Sequence, residues 1–345
     1  MIIGGVRKMK FNSEKKKSII IYLLEKIEKK DDAISKAVSE AFSVNQNTIH
    51  TYINELVDEN IIKRIKRGQY ELVKDVYEYQ LKRENGDLDT DTYAYDYCLE
   101  KHISHLDANV QSIWSYSFSE MINNVMDHSD ASNVKIIVEQ DYLKTSVMIA
   151  DNGIGIFKKI KEHFKFPSLD EAICELFKGK LTTDSINHSG EGIFFSSKMM
   201  DDFFIVSSGK IFTNNKFDNS KIISIAAENV KGTCVIMSLS NFTHKNPQEV
   251  FDLYANVDGG FIKTKIPMKN IFDTLPVSRS QAKRVCNRLE KFKEVVIDFE
   301  GVQWMGQGFA HQLFVVFARE HSDIQIVPIN MNEDITKMYN HVITS

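Results

Sequence analysis

Apolar residues in the first part of the chain recur three and four positions apart, which is the spacing of an amphipathic helix. One such stretch begins at Ser13, a second at about Asp32, and a third near Thr48 after the polar turn of residues 42–47. A basic cluster, a turn at Gly68 and a strand at 70–73 follow. The pattern predicts three helices and a β-hairpin over residues 13–75. Residues 1–12 show neither helical nor strand period, and we expect a disordered tail there.

Charged and polar side chains are grouped at two places in this segment. The basic residues of the hairpin are Lys63, Arg64, Lys66 and Arg67. The donors and acceptors around the start of the third helix are Asn45, Gln46, Asn47, Thr48, His50, Thr51 and Asn54. Three helices with a basic hairpin resemble a winged helix-turn-helix domain, whose third helix enters the major groove of DNA, and the resemblance implies that these two groups contact DNA.

The charge of this segment leaves an alternative open. Residues 13–75 contain 12 basic and 11 acidic side chains, so attraction to phosphate would come from the hairpin alone. A small helical domain used for protein contact or dimerisation is the alternative to DNA binding.

The middle of the chain carries a polar stripe on a predicted helix. The helical pattern covers about residues 93–129, and Glu120, Asn124 and His128 within it are spaced four residues apart. At about 3.6 residues per turn, all three lie along one face. An acid, an amide and an imidazole on one face are unusual for a core, and they suit a hydrated magnesium ion and a water molecule.

Three glycine-bearing turns follow this helix. Alternating strands at 134–140 and 145–150 lead into Asp151-Asn-Gly153-Ile-Gly155, where bare backbone can approach a flat ligand while a carboxylate accepts a hydrogen bond. Gly190-Glu-Gly192-Ile193 opens an apolar helix, where backbone N–H groups can face an anion. Gly232-Thr233 opens a strand at 234–239.

These four elements, in this order, resemble the N, G1, G2 and G3 boxes of the GHKL superfamily, the ATP-binding fold shared by gyrase, histidine kinases and mismatch-repair ATPases. The resemblance covers about residues 93–242. It implies an α/β sandwich with helices on one face of a mixed sheet, and ATP and Mg²⁺ as cofactors. The spacing of Glu120 and Asn124 looks more like anti-sigma-factor serine kinases and gyrase-type ATPases than sensor histidine kinases.

The resemblance also implies a role for each matching residue. Glu120 would be the general base and Asn124 the Mg²⁺ ligand. Asp151 would accept a hydrogen bond from the adenine amine, with Thr233 supporting the base through a water. For His128, a packing or indirect role is favoured at least as much as direct contact. The remaining positions that would approach the nucleotide closely or cradle its phosphates are Gly153, Gly155, Gly190, Gly192 and Ile193.

Residues 157–189 would form the ATP lid of this superfamily. Lys178 and Lys180 are candidates for binding the γ-phosphate, and Gly179 between them is a candidate hinge. A solvated basic face is an equally favoured interpretation of the two lysines.

Strands and helices alternate after about residue 246. Strand patterns at 263–266, 294–299 and 324–327 are separated by helical patterns at 280–292 and through 317, with a last helix at 333–339, so a small α/β layer structure is predicted. It resembles the STAS-like domain found C-terminal to GHKL modules in bacterial regulators, most strongly at 277–283, 296–301 and Gly306-Gln-Gly308. In anti-anti-sigma STAS proteins a serine in the turn after the second of these regions is phosphorylated, but residues 303–308 carry no hydroxyl. Ser278 or Ser280 is expected to cap a helix.

Composition and charge narrow the class of protein. Lys plus Arg total 43 against 47 Asp plus Glu, so the net charge of -4 argues against a chain coated in positive charge, and any DNA contact must be local. A hydrophobic content of 43% argues against disorder across most of the chain. The cysteines form no C-x-x-C pair, and reduced buried thiols are expected. We expect no signal peptide and no membrane anchor, and a cytoplasmic location.

Together these features predict a multidomain α+β regulator with a winged helix-turn-helix domain at 13–75, a GHKL ATP-binding domain at 76–245 and a STAS-like domain at 246–345. Binding or slow hydrolysis of ATP would control DNA binding, partner interaction and thereby transcription. The alternative is a protein-serine kinase of anti-sigma-factor type acting on a separate protein. A weaker one is an ATPase clamp that dimerises around nucleic acid. The expected partners are DNA and a protein bound by the STAS-like domain, with no membrane contact, and a homodimer is left open.

Overall fold

The computed structural model describes residues 13–181, 190–214, 231–255, 260–271 and 275–344. The expected tail at 1–12 and residues 182–189 of the expected lid lie outside the described residues. The chain forms two compact units. The first comprises the described part of Met1–Tyr77 with Glu139–Thr145 and Ser240–Phe242, and the second comprises the described remainder.

The first unit contains three helices and an antiparallel hairpin. The elements are α1 (Ser13–Glu28), α2 (Ile34–Phe42), α3 (Gln46–Asp58), β1 (Ile62–Lys66) and β2 (Gln69–Leu72). In the hairpin Ile62 pairs with Leu72, and the register shifts between Arg64 and Lys66. The apolar stripes of the three helices form the core, with Ile19, Leu23, Val38, Ile49 and Leu56 almost fully buried. These are the elements that the sequence predicted for residues 13–75.

Two short segments complete the core of the first unit. Leu143 is buried in the same cluster, and Tyr142 and Phe242 pack against it. The Lys17 ammonium lies 5.0 Å from the centre of the Phe242 ring. Lys74 pairs with Glu139 at 2.6 Å. The segments that carry these residues are therefore held by apolar packing as well as by charge.

A six-stranded sheet is the centre of the middle segment of the chain, and its contacts are those of antiparallel neighbours rather than of the mixed sheet that was expected. Its strands lie in the order β3-β4-β5-β8-β6-β7, and β6 is antiparallel to both β7 and β8. The elements, in chain order, are β3 (Asp75–Lys82), α4 (Asp91–Tyr95), α5 (Lys101–Ile103), α6 (Ala108–His128), β4 (Asn133–Gln140), β5 (Lys144–Asp151), α7 (Ile156–Phe164), α8 (Leu169–Lys178), α9 (Gly192–Met199), β6 (Asp202–Ser207), β7 (Lys210–Thr213) and β8 (Thr233–Ser240).

The two faces of this sheet are covered differently. One set of alternating side chains, including Ile136, Ile149 and Ile205, belongs to the large core that also contains the buried face of α6. The opposite face forms a small cluster around Phe204, Val206 and Cys234 in the described residues. Strand alternation thus directs most apolar side chains to the helical side.

The C-terminal segment adds a three-stranded parallel sheet to the second unit. Its strands lie in the order β11-β10-β9. The elements are α10 (Pro247–Asp252), β9 (Lys263–Pro267), α11 (Met268–Ile271), α12 (Arg279–Cys286), β10 (Glu294–Asp298), α13 (Gln307–His311), α14 (Ala318–Glu320), β11 (Gln325–Ile329) and α15 (Glu333–Thr344). This order agrees with the alternation of strands and helices that the sequence predicted.

Local interactions and backbone angles explain where α12 begins and ends. Ser278 is the N-cap, and its side chain and that of Gln281 bond reciprocally to each other's backbone N–H groups in a capping box. The predicted helix at 280–292 ends earlier than expected, at Cys286, because Asn287 is extended and Arg288 adopts a positive φ of 59°. The expectation that Ser278 or Ser280 caps a helix is confirmed for Ser278.

Aromatic side chains join the C-terminal segment to the sheet with its helices. The ring of Phe194 on α9 lies 4.7 Å from that of Phe261, which lies 5.4 Å from Phe292. All three are buried in one continuous core. The C-terminal segment and the middle segment therefore share a core within one compact unit.

The cysteines follow the expectation from composition. All four cysteines are free and buried, and burial raises the pKa of the Cys98 thiol to about 12. Over the ranges that the structure describes, no helix has the length and apolar character needed to cross a membrane.

Candidate functional site

A cavity of about 240 Å³ lies in the second unit. Its walls come from α6, from α7, from the end of β5 and the start of β8, and from the turn that opens α9. The predicted residues that line it are Glu120, Asn124, His128, Asp151, Gly190, Gly192, Ile193 and Thr233. They come from four segments that are distant in the chain, so the fold brings the four predicted boxes to one place.

One face of α6 supplies a polar wall of the cavity. The Nδ2 atom of Asn124 donates to the backbone oxygen of Glu120 at 2.8 Å, so the acceptor Oδ1 lies on the opposite side of the amide. The Tyr116 hydroxyl, one turn earlier, hydrogen-bonds the Glu120 carboxylate. Burial, and next the negative charge of Glu120, raise the pKa of the Tyr116 phenol. Tyr116 thereby orients the Glu120 carboxylate.

The turn that opens α9 lies directly against Glu120. A Cβ atom on Gly192 would lie 1.9 Å from Oε2 of Glu120, so any side chain at this position would displace the Glu120 carboxylate. Gly190 has φ +73°, and a Cβ there would lie 2.5 Å from the backbone carbon of Leu181. The Leu181 N–H also donates to the Gly190 oxygen at 3.1 Å. Bare backbone is therefore needed on both sides of this turn.

Asp151 forms a second polar wall at the end of β5. It is buried, with 7% of its surface exposed, and its Oδ1 accepts from the Gly153 N–H at 2.7 Å. Thr233 bonds to the same carboxylate through its backbone and side chain, and its Oγ1 accepts from the Ile156 N–H. Burial raises the pKa of Asp151, although these hydrogen bonds oppose the shift. The carboxylate is thus fixed in place and costly to keep charged without a ligand.

Gly153, Gly155 and Gly232 shape the backbone around Asp151. A Cβ on Gly153 would lie 2.0 Å from the Ser129 oxygen, and one on Gly232 would lie 2.3 Å from Oδ1 of Asp151. Gly155 has φ +85°, and Ser207 would lie 2.6 Å from its Cβ. The close approach expected of Gly153 and Gly155 is thus made to the protein's own backbone and side chains. In the sequence Gly232 was noted only as the residue before Thr233, and it was not named as a site residue.

Lys178 has a different role from the one expected. Its side chain is 1% exposed and pairs with Glu175 at 2.6 Å, and its Nζ donates to the backbone oxygens of Arg284 and Asn287. The structure therefore corrects both interpretations of this lysine, because the ammonium is neither turned to the cavity nor solvated. Burial of an ammonium requires partners of this kind.

Lys180 also contacts the C-terminal segment. Its Nζ donates to the Lys291 oxygen at 3.2 Å and lies 5.4 Å and 5.2 Å from the ring centres of Phe261 and Phe292. Neither Lys178 nor Lys180 lines the cavity, whereas Gly179 between them does. The γ-phosphate role of Lys180 stays a prediction.

Several residues of the cavity were not singled out from the sequence. Lys159 on α7 is one. Tyr116, which lies behind Glu120 and does not line the cavity, was also not singled out. The apolar walls include Met121, Val125, Ile149, Ile156, Ile160, Leu176, Phe194, Ile205 and Val235. The available signal for the apolar residues was their periodicity, which does not distinguish a cavity wall from a core.

The predicted DNA-contacting residues lie on the first unit. Asn45 is the N-cap of α3 and accepts from the Asn47 N–H at 2.8 Å. Thr48 is half-buried, and the exposed residues around it are Asn45, Gln46, Asn47, His50, Thr51 and Asn54. In the hairpin Lys63, Arg64, Lys66 and Arg67 are all exposed. Lys63 pairs with Glu71 at 3.3 Å, and Arg64 lies over the Tyr70 ring.

The cavity fits a magnesium nucleotide in its chemistry. Apolar walls and a buried acceptor at Asp151 suit a heteroaromatic base with an exocyclic amine. The oxygens of Glu120 and Asn124 are hard ligands of the kind that Mg²⁺ prefers, with phosphate and water completing its shell. Among the described residues there is no cluster of three His, Cys, Asp or Glu side chains able to hold a metal alone.

Two similarities to known proteins bear on these segments. A family model described as "STAS-like domain of unknown function (DUF4325)" matches residues 281–336, so this part of the chain is STAS-like, as the sequence indicated. The chain is also similar to a subunit of DNA topoisomerase 4 from Rickettsia prowazekii (strain Madrid E), with 25% identity over 154 residues. The match covers 39% of this chain and 23% of that relative, so the chain spans about a quarter of its length.

Proposed function

We propose that the cavity binds ATP with Mg²⁺ and that nucleotide binding regulates the other parts of this protein. The observation that carries the proposal is the convergence on one cavity of the Glu120–Asn124 face, the carboxylate of Asp151 with Thr233, and the Gly190–Gly192 turn. The similarity to a protein of the topoisomerase class and the resemblance to the GHKL superfamily support it.

Asp151 would select the base. Its fixed, buried carboxylate would accept a hydrogen bond from the adenine amine, and Thr233 would keep that carboxylate oriented. The apolar side chains of Ile149 and Val235 would exclude water from the base. A hydrogen bond across a water-excluding wall provides both affinity and selectivity.

Glu120 and Asn124 would perform the chemistry at the other wall. Asn124 Oδ1 would hold the metal ion, and Glu120, oriented by Tyr116, would take a proton from the attacking water. Bound Mg²⁺ would supply positive charge that offsets the charge of the phosphates. The glycine turn against Glu120 would present backbone N–H groups to an anion. We infer slow ATP hydrolysis.

The first unit is proposed to be a winged helix-turn-helix domain that binds DNA in a nucleotide-dependent way. The exposed polar residues at the start of α3 and the exposed basic hairpin support this. Transcription would be the regulated process. A protein partner is proposed for the STAS-like domain.

Contacts between α8 and the C-terminal segment support communication with the STAS-like domain. Lys178 bonds to the backbone of Arg284 and Asn287, and its own backbone oxygen accepts from Thr264 at 2.7 Å. The next residue, Gly179, lines the cavity. A partner that shifts this segment would therefore alter the cavity wall, and nucleotide would alter partner affinity to the same extent.

Titration of Mg²⁺-ATP against the wild type, Asp151→Asn and Asn124→Ala tests the site. Both variants should bind at least tenfold more weakly, because each loses a hydrogen bond to a charged group or a metal ligand that is worth roughly 1.5–3 kcal/mol. Asp298→Asn is the matched control, since Asp298 is also a buried aspartate at the end of a strand but does not line the cavity. Unchanged affinity in Asp151→Asn would contradict the adenine assignment.

The fate of the phosphate separates regulation by hydrolysis from the serine-kinase alternative. Radiolabelled ATP should release free phosphate, and Glu120→Ala should abolish that release. A stoichiometric phosphoprotein that disappears in Glu120→Ala would instead favour the kinase. DNA binding is then measured with and without Mg²⁺-ATP, and equal affinity would argue against nucleotide control.

A further inference from the structure

The cavity contains a lysine that belongs to none of the four sequence boxes. Lys159 lies on α7, is half-buried and lines the cavity, and its Nζ donates to the backbone oxygen of His128 at 2.6 Å. Lys158, its neighbour on the same helix, is exposed and does not line the cavity. The ammonium of Lys159 is therefore held at one place, where α6 ends.

The charges of the groups that line the cavity indicate a role for Lys159 in binding an anion. Its walls carry the carboxylates of Glu120 and Asp151, and Lys159 is the only Lys or Arg among its described residues. The lysines expected to meet phosphate, Lys178 and Lys180, bond to the C-terminal segment and do not line the cavity. A polyanion next to two carboxylates needs a nearby cation besides a metal ion.

The position of Lys159 along α6 indicates which phosphate it would meet. Ser129 follows His128 and accepts from the Ile154 N–H at 3.0 Å, so this end of α6 lies beside the turn that follows Asp151. Glu120 and Gly192 lie about two helical turns away, roughly 11 Å along the axis. The ammonium is thus nearer to the wall proposed for the base than to the wall proposed for the chemistry.

We propose that Lys159 binds the phosphate group attached to the sugar, the α-phosphate of the nucleotide. This rests on the proposed function of the cavity. A lysine ammonium has three donors, and the His128 carbonyl takes one of them. Because the α-phosphate is common to AMP, ADP and ATP, Lys159 contributes equally to the binding of all three and nothing to adenosine.

The competing role for this lysine is structural. A lysine that donates to a carbonyl oxygen at a helix C-terminus stabilises that helix by itself. In that case its removal would lower stability and would change the affinities for adenosine and for its phosphates by the same factor. The two roles therefore predict different ratios of the affinity for AMP to the affinity for adenosine, and a loss of stability does not change this ratio.

The experiment measures the dissociation constants of adenosine, AMP, ADP and Mg²⁺-ATP for the wild type, Lys159→Met and Lys159→Arg. We expect Lys159→Met to weaken the binding of AMP, ADP and ATP by a common factor of about ten or more, since a charge-assisted hydrogen bond is lost. The affinity for adenosine should be unchanged. Lys159→Arg keeps the charge and should recover most of the loss. Lys158→Met is the matched control and should bind all four ligands like the wild type.

Each contrary result has a distinct meaning. If Lys159→Met binds AMP like the wild type and loses affinity only for ADP or ATP, the α-phosphate assignment is overturned. An equal loss that includes adenosine would leave Lys159 a structural role alone and would also overturn it. If the wild type binds none of the four ligands, the proposed function of the cavity fails, whereas intact ATP binding in Lys159→Met overturns only this inference.

Discussion

Glu175 and Lys178, which are three residues apart on α8, form an ion pair 2.6 Å long whose side chains are 4% and 1% exposed. Arg288 lies 3.3 Å from the same carboxylate. Lys178 also donates to the backbone oxygens of Arg284 and Asn287. The final turn of α8 is therefore bonded to the last turn of α12 and to the residue that follows it, and the charges are satisfied inside the protein.

Replacing Lys178 by Met should destabilise the protein by about 3 kcal/mol, because a buried carboxylate then loses its closest counter-charge. Urea unfolding measures the loss. Lys180→Met, at a partly exposed ammonium, should cost less. Under conditions where the variant is folded, Lys178→Met should keep its affinity for ATP within about tenfold of the wild type. The hydrogen bonds that it loses lie outside the cavity and affect the cavity wall only indirectly. A variant of normal stability that no longer binds ATP would restore the phosphate role of Lys178.

Replacing Asp151 by Asn should stabilise the ligand-free protein at neutral pH by about 1 kcal/mol. Burial raises the pKa of Asp151, so the folded state binds this proton more tightly than the unfolded chain. The wild type therefore loses stability relative to the variant as pH rises from the ordinary aspartate pKa through the raised one. Urea unfolding of both proteins over about pH 4 to 8 measures the difference.

Asp298 provides a control because its pKa is shifted in the opposite direction from that of Asp151. Burial alone would raise its pKa, but hydrogen bonds from Lys265 and Asn330 lower it overall. Its contribution to stability is present above the ordinary aspartate pKa and is lost as pH falls through the lowered one. Asp298→Asn should therefore destabilise at neutral pH and match the wild type in acid. Parallel pH curves for the two variants would contradict both assignments.

Replacing Gly192 by Ala should reduce ATP hydrolysis by about a hundredfold, because the added Cβ would lie 1.9 Å from Glu120 and would displace its carboxylate. The measurement is the rate of phosphate release at saturating ATP. Gly308→Ala is the control, since the nearest atom to its Cβ would be 3.5 Å away. Normal hydrolysis in Gly192→Ala would show that Glu120 is free to move without loss, which conflicts with its proposed role as base.

Replacing Tyr116 by Phe should lower the rate of hydrolysis about tenfold and leave the affinity for Mg²⁺-ATP unchanged. The ring is kept, but the hydrogen bond that orients Glu120 is lost. Single-turnover rates and equilibrium binding separate the two quantities. Tyr254→Phe removes the hydroxyl of another half-buried tyrosine that does not line the cavity, and it should change neither quantity. An equal loss of affinity would indicate that Tyr116 supports the fold of the cavity instead.

Replacing Lys63, Arg64, Lys66 and Arg67 together by Gln should weaken DNA binding and reduce the slope of log affinity against log salt by up to about 4. These residues are exposed on the hairpin and supply its positive charge. Binding to a random duplex at several salt concentrations measures the slope. The control is Lys29 and Lys30→Gln, which removes two exposed charges at the end of α1. An unaltered slope would favour a protein-contact role for this unit.

The polar stripe of α6 and the glycine turns could be predicted from the sequence because each depends on local geometry. Glu120 and Asn124 share a face wherever the helix forms, and Gly192 and Gly190 mark places where backbone meets other groups closely. The central strand β10 of the C-terminal sheet was also predictable, since a buried parallel strand is a continuous apolar run. Local pattern therefore identified most of the polar residues of the cavity but not its apolar walls.

Two strands went unpredicted although the sequence contains their signal. β6 and β7 are joined by Ser208 and Gly209, which have φ values of 52° and 71°. Two residues of positive φ between apolar runs are typical of a tight hairpin. No element was assigned to the hydrophobic residues before this turn. Periodicity over a short apolar run does not separate helix from strand.

Lys178 and Lys159 could not be assigned from the sequence for a different reason. Lys178 lies beside a glycine in a predicted lid, which is where a phosphate ligand is expected, but its partners Arg284 and Asn287 are distant in the chain. Lys159 reaches the cavity because α7 packs beside the end of α6. Both roles are decided by tertiary contacts, about which a single sequence contains no local signal.

The aromatic contacts from Phe194 through Phe261 to Phe292 bear on how this chain was assembled in evolution. A module that is exchanged freely between genes needs a surface that is complete without its neighbour. Here the helix that follows the Gly190–Gly192 turn places its own phenylalanine against the C-terminal segment. The STAS-like segment is therefore not complete without its neighbour, and a gene cut near residue 245 would encode a protein with an open, aggregation-prone core.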